Sequence, residues 1–192
     1  HVYGNFRHGF QAQVKYAADA YPKSANGPTY FVAGNHDLGF VGAAGASVGE
    51  ALALQRQDLL NLGDHSAAVD IGSARIFVSH GARGGLSYAR SYRIQKLLEQ
   101  MDHKERDDTD IALYGHWHVA AHLPGYQGVE AFLVPCFQRQ TPFLKTLGLQ
   151  PVIGGAILEI EFGNKGVWNV RVDWRIYREA LAGDYPGSEL DR

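Results

Sequence analysis

Three apolar runs of strand type in this chain empty into glycine and histidine. Residues 29–36 read TYFVAGNH, residues 74–81 read ARIFVSHG and residues 111–118 read IALYGHWH. A simple turn would end such a run, and Gly-Asn alone makes one. The added imidazoles and the carboxylate of Asp37 call for another explanation. In sheets built from alternating strands and helices, ligands bind beyond the carboxyl ends of the strands. Histidines at that end of three separate runs therefore predict convergence of His36, His80, His116 and His118 at one sheet edge. His116 and His118 are two apart and share a side if strand geometry persists. The flanking Gly34, Gly81 and Gly115 each permit an unusual backbone angle or a close approach.

Any one of these histidines alone is better read as a satisfied buried imidazole or a turn residue; the metal-site reading rests on their combination. Neutral imidazoles with the Asn35 amide oxygen suit Zn, Mn or Fe, whereas Ca or Mg prefers oxygen ligands throughout. His8, His65, His103 and His122 lack this setting and read as surface or structural. Gly63-Asp64-His65 reads as a turn between a helix and a strand.

The rest of the chain supports an α/β organisation. Residues 5–21 place Phe10, Val14, Ala17, Ala18 and Tyr21 at helical spacing. A flexible loop is expected over 42–49, a helix over 50–62 and a hairpin over 67–81 turning at Gly72-Ser73. Residues 86–101 form an amphipathic pattern with Ile94, Leu97, Leu98 and Met101 on one stripe. Residues 103–110 read as a solvated connector. Strands are then expected over 129–137, 154–162 and 167–177, with no helices between them. In the last, Trp168, Val170, Val172, Trp174 and Ile176 alternate with polar residues, the mark of a half-buried antiparallel strand. Residues 178–192 read as a polar tail.

Composition narrows the partners. A net charge of −2 over 192 residues does not describe a bulk nucleic-acid or membrane-surface binder. No apolar run approaches the length of a membrane span. Cys136 is the single cysteine, which rules out an internal disulfide and leans towards a reducing, cytoplasmic setting.

The ordered set GNHD (34–37), SHG (79–81) and GHWH (115–118) resembles the calcineurin-like metallophosphoesterases. The resemblance spans roughly residues 1–177, expected as one phosphoesterase domain, and implies a four-layer β-sandwich flanked by helices. It further implies that Asn35, His80 and His116 hold one divalent metal ion while His118 reaches a second. His36 would face the scissile phosphate and serve the leaving oxygen. Asp37 either orients His36 or caps the following helix, and capping is the expected role. Two cations in such a site neutralise the phosphate and generate hydroxide. The family's earlier Asp-x-His and Gly-Asp-x-x-Asp motifs do not precede GNHD in this chain. The segment before residue 30 has room only for the helix that follows the second motif, so the first strand–loop pairs are expected to be missing. At most about one tight metal equivalent and impaired hydrolysis are therefore expected of this polypeptide.

Three functions follow: a dinuclear phosphoesterase, a nuclease of the same family, or a degenerate fold acting as a non-catalytic binding module. Arg83, Arg90, Arg93 and Lys96 supply cations for a nucleic-acid backbone, although such a row is more often a solvated helix face. Substrate and oligomeric state are left open by the sequence.

Overall fold

The computed structural model describes residues 6–81, 89–164 and 166–177. The fold is mixed α/β. Its centre is a five-stranded sheet in the order β3 (Ser66–Ile71), β4 (Ala74–Ser79), β5 (Ile111–Tyr114), β7 (Val129–Leu133), β6 (Ala121–Tyr126). The middle strands β4, β5 and β7 run parallel, and the two edge strands are antiparallel to their neighbours. Alternation along the parallel strands sends side chains to both faces. Phe77, Ala112, Tyr114, Ala131 and Leu133 pack with Ile94 and Leu98 of α4 (Arg90–Gln100). Ile76, Ile111 and Phe132 pack on the other side against Leu158, Ile160, Val170, Val172 and Trp174. Those five belong to a long hairpin of β8 (Ile153–Gly163) and β9 (Gly166–Tyr177). A strand apolar on both faces is what burial between a helix and a second sheet requires.

A smaller unit precedes this centre. Strand β1 (Thr29–Ala33) pairs in parallel with β2 (Leu59–Asp64), beside α1 (Phe10–Ala20), α2 (Asn35–Ala44) and α3 (Val48–Gln55). The helix expected over 50–62 is therefore corrected: it ends at Gln55, and residues 59–64 are a strand. Arg56 is the reason. Its buried guanidinium donates to the carbonyls of Ala18, Tyr21 and Pro22 and pairs with Asp58, so the chain must leave the helix there. Gly63 and Asp64 consequently end β2, and His65 alone joins it to β3 with a left-handed φ of 68°.

Other expectations are corrected locally. The loop over 42–49 is largely helical: Gly45, left-handed, closes α2, and the Ser47 hydroxyl accepts the Glu50 N–H to open α3. The connector after α4 contains α5 (His103–Asp107), opened by the Asp102 carboxylate. Short α6 (Pro142–Thr146) lies between β7 and β8, where no helix was expected, opened by Thr141 with Pro142 in its first turn. Trp168 leaves the expected inner face and is 72% exposed. The pairing of β8 with β9 shifts between Glu161 and Phe162, and a one-residue bulge reverses the facing of what lies beyond it. The hairpin over 67–81, α1 and the stripe on α4 are as expected. The tail 178–192 lies outside the described residues. No single helix among the described residues is long and apolar enough to cross a membrane; α2 and α3 reach that length only together, across a 99° bend.

Candidate metal centre

The parallel register of β4 and β5 pairs Ser79 with Tyr114, so His80 and the Gly115–His118 turn leave the sheet at the same end. The Gly115 N–H donates to the Ser79 carbonyl at 2.9 Å, extending the ladder one step beyond the strands. The His80 N–H donates to the His65 carbonyl at 2.8 Å, tying that end to the corner between β2 and β3. Strand β1 arrives beside it. Its last residue, Ala33, pairs with Asp64, and Gly34 then turns the chain into α2. Asn35 and His36 thus open a helix, and do not end a strand. Asp37 accepts the Gly34 N–H at 2.8 Å, the capping role expected of it.

The three elements bring three donors together. The His80 Nε2 lies 2.7 Å from the Asn35 Oδ1 and 3.2 Å from the His116 Nδ1. The His80 and His116 rings meet edge to face with centroids 5.1 Å apart. Gly34 permits this: a Cβ there would stand 3.0 Å from the His80 Cε1 and 3.1 Å from its Nδ1, so the imidazole lies directly on the backbone. Gly81 provides both features expected of these glycines, a φ of 85° and a close approach, here to Trp117. Gly115 meets only ordinary van der Waals contacts and has no positive φ.

Strand geometry does not persist through the GHWH sequence. His116 and His118 take left-handed φ values of 79° and 54°, so their relation is set by a turn and not by the strand repeat. The Trp117 N–H donates to the Gly115 carbonyl, and the His118 carbonyl accepts the Val152 N–H at 2.7 Å. Non-glycine residues hold such angles only when the surroundings over-determine them, and they cluster at functional sites. His36 is exposed at the first turn of α2, and its charge is felt by His80, His116 and His118.

The two donor–donor distances at His80 can be compared with those around a single ion. Ligands about 2.0–2.2 Å from a common ion stand roughly 3–3.5 Å apart in tetrahedral or octahedral geometry. The 3.2 Å contact has that spacing, and the 2.7 Å contact is a hydrogen bond that opens only slightly to reach it. Ligation through the His80 Nε2 requires the tautomer protonated at Nδ1. Among the described residues no group of three or more His, Cys, Asp or Glu is disposed to hold a metal. The site reaches three donors only by counting the Asn35 amide.

A profile of the calcineurin-like phosphoesterase superfamily domain matches residues 3–132 of this sequence. The chain belongs to the calcineurin-like phosphoesterase superfamily. The match runs from α1 into β7 and contains all three motifs of the site. Among solved structures, a double mutant and a single mutant of Vps29 from Entamoeba histolytica are similar to it. Each is 14% identical, covering 67% of this chain and 74% of its own, with a TM-score of 0.39. Vps29 from Chaetomium thermophilum is 15% identical over 68% of this chain and 74% of its own, with a TM-score of 0.35. No curated protein matches the chain.

Burial disfavours charge on the imidazoles of this candidate site. His80, His116 and His118 are all held below the ordinary value of 6.5, in each case chiefly by burial. The charge of His116 adds to the effect at His80 and His118, and those of His36 and Arg93 at His116. Well above pH 6.5 folded and unfolded chains are both neutral at these groups. As pH falls below 6.5, the unfolded chain takes up protons that the native site resists, so native stability declines until the depressed folded values are passed. Thermal melts of the metal-free chain between about pH 8 and pH 5 should show this fall, and His80→Asn should reduce it. A flat Tm across that range would show that the site does not resist protonation.

The cationic row on α4 is engaged within the protein. Arg90 donates to the Ala120 carbonyl at 3.2 Å, Arg93 lies over the Trp117 ring, and Lys96 pairs with Glu99. Arg83 lies outside the described residues. The sequence reading did not single out Trp117, and it weighed Arg93 as a phosphate contact or as part of a solvated helix face. An aromatic residue inside a strand-end GHxH was the available signal.

Proposed function

We propose that this protein is a metal-dependent phosphoester hydrolase in which Asn35, His80 and His116 bind one divalent transition metal, Zn, Mn or Fe. The convergence of these three donors within 3.2 Å of the His80 Nε2 is the observation that carries the reading. Bound there, an ion supplies charge neutralisation for the phosphate and an activated water. The chain's own groups do the rest. Asn35 contributes a neutral oxygen, so the ion keeps most of its charge for the substrate. Neutral His80 and His116 each offer one lone pair; at His80 the proton that Nε2 shares with the Asn35 Oδ1 must first move to Nδ1. His36, exposed beside them, donates a proton or hydrogen bond to the leaving oxygen. His118 would serve a second ion, which a lone imidazole would hold weakly.

Titration of the 192-residue chain with Zn or Mn is expected to saturate near one tight equivalent. Loss of a ligand from such a set weakens binding strongly, so His80→Ala and His116→Ala should each abolish retention through gel filtration. Two tightly held ions, or retention unaffected by either substitution, would overturn the assignment. A non-catalytic binding module is the second reading, favoured by the lack, among the described residues, of a metal-disposed group of three His, Cys, Asp or Glu. It requires no metal retention, so the same titration separates the two.

A further inference from the structure

The turn carrying His116 and His118 holds two strained backbone angles around one side chain that is not histidine, Trp117. That indole reaches from the residue after one candidate ligand to the residue after the other. Trp117 follows His116, and the His116 ring stands edge-on to it at 88° with centroids 5.4 Å apart. Gly81 follows His80, and a Cβ at Gly81 would lie 2.6 Å from the outer ring atoms Cη2 and Cζ3 of Trp117. The guanidinium carbon of Arg93 sits 4.7 Å from the ring centroid. The ring also packs against the core cluster that includes Ile94 and Leu98.

We propose that Trp117, seated on Gly81 and held by Arg93, is the positioning residue that sets the spacing of His80 and His116. The inference rests on the proposed metal site for its consequence, though not for its geometry. A spacer of this kind must be large, rigid and gripped on several sides, and an indole between a glycine, a cation and a packed core is all three. The same engagement argues against Trp117 as a platform for a substrate base, which needs a free ring face. It also gives Arg93 a role other than reading phosphates: stacked on the ring, it anchors the turn to α4.

The test has two arms. With Co(II) alone as the probe, Trp117→Leu and Gly81→Ala should each weaken binding by about 10–100-fold, the range for residues that orient ligands. Adding Trp117→Phe to Gly81→Ala should recover much of the loss, because a phenyl ring does not extend to the indole atoms the new methyl would strike. If the double variant binds no better than Gly81→Ala, backbone strain at Gly81 accounts for the loss and the proposal falls. The second arm uses the metal-free chain and NMR. The ring-to-ring NOE between His80 and His116 should vanish in Trp117→Leu while that between Phe77 and Tyr114 stays. An unchanged histidine NOE would overturn the proposal. Should Trp117→Leu fail to fold, the Gly81 variants decide, with the same NOE as their readout. Co(II) binding that ignores His80→Ala would remove the metal reading, and the metal-free arm would still judge the spacer.

Discussion

His36→Ala is expected to lower phosphodiester turnover by about 10²–10⁴-fold while metal content stays near its original value. Turnover of a phosphodiester and bound metal are to be measured side by side on the same preparations. The two readouts separate because of where the residue sits. His36 opens α2 beside Asn35 and is exposed, whereas the short contacts of the donor set run among Asn35, His80 and His116. On the proposed reading its imidazole serves a substrate oxygen without holding an ion. The N-terminal end of α2 favours negative charge at the same spot. A parallel loss of metal and activity would place His36 among the ligands instead.

The second large effect is on stability. Phe132→Ala is expected to cost about 3–5 kcal/mol, because the ring is fully buried and the sheet cannot close around the void. Phe132 projects from β7 between the central sheet and the β8–β9 hairpin, stacks on His122 at 4.2 Å and faces Trp174 at 6.2 Å. For a chain of this size each kcal/mol moves Tm by about 2–4 °C, so a fall of roughly 6–20 °C should appear by calorimetry. Since β7 pairs with β5, the strand leading to His116, loosened packing there should also weaken metal retention at temperatures below the melt. A Tm within about a degree of the parent would mean that the hairpin does not seal this face.

The sequence by itself determined the parts of this protein that depend on local pattern. The ordered GNHD, SHG and GHWH sequences pointed to the calcineurin-like phosphoesterases, the superfamily whose profile matches residues 3–132. The apolar runs of β4, β5 and β7, the hairpin at Gly72-Ser73 and the stripe on α4 were legible for the same reason. Periodicity reports which face a residue turns to its nearest layer.

What only the tertiary structure decided depends on contacts between distant segments. Helix α3 stops where Arg56 reaches the carbonyls ending α1, an interaction spanning 38 residues that no window of sequence contains. Trp168 turns outward because the pairing of β8 with β9 slips by one residue, and register belongs to two strands at once. His116 and His118 meet the site through left-handed turn angles that strand spacing does not predict. The site itself closes only when α2 brings Asn35 to His80, 45 residues away, and the His80 ring settles on the bare backbone of Gly34. Residue types can announce such chemistry, but the distances between them come from packing.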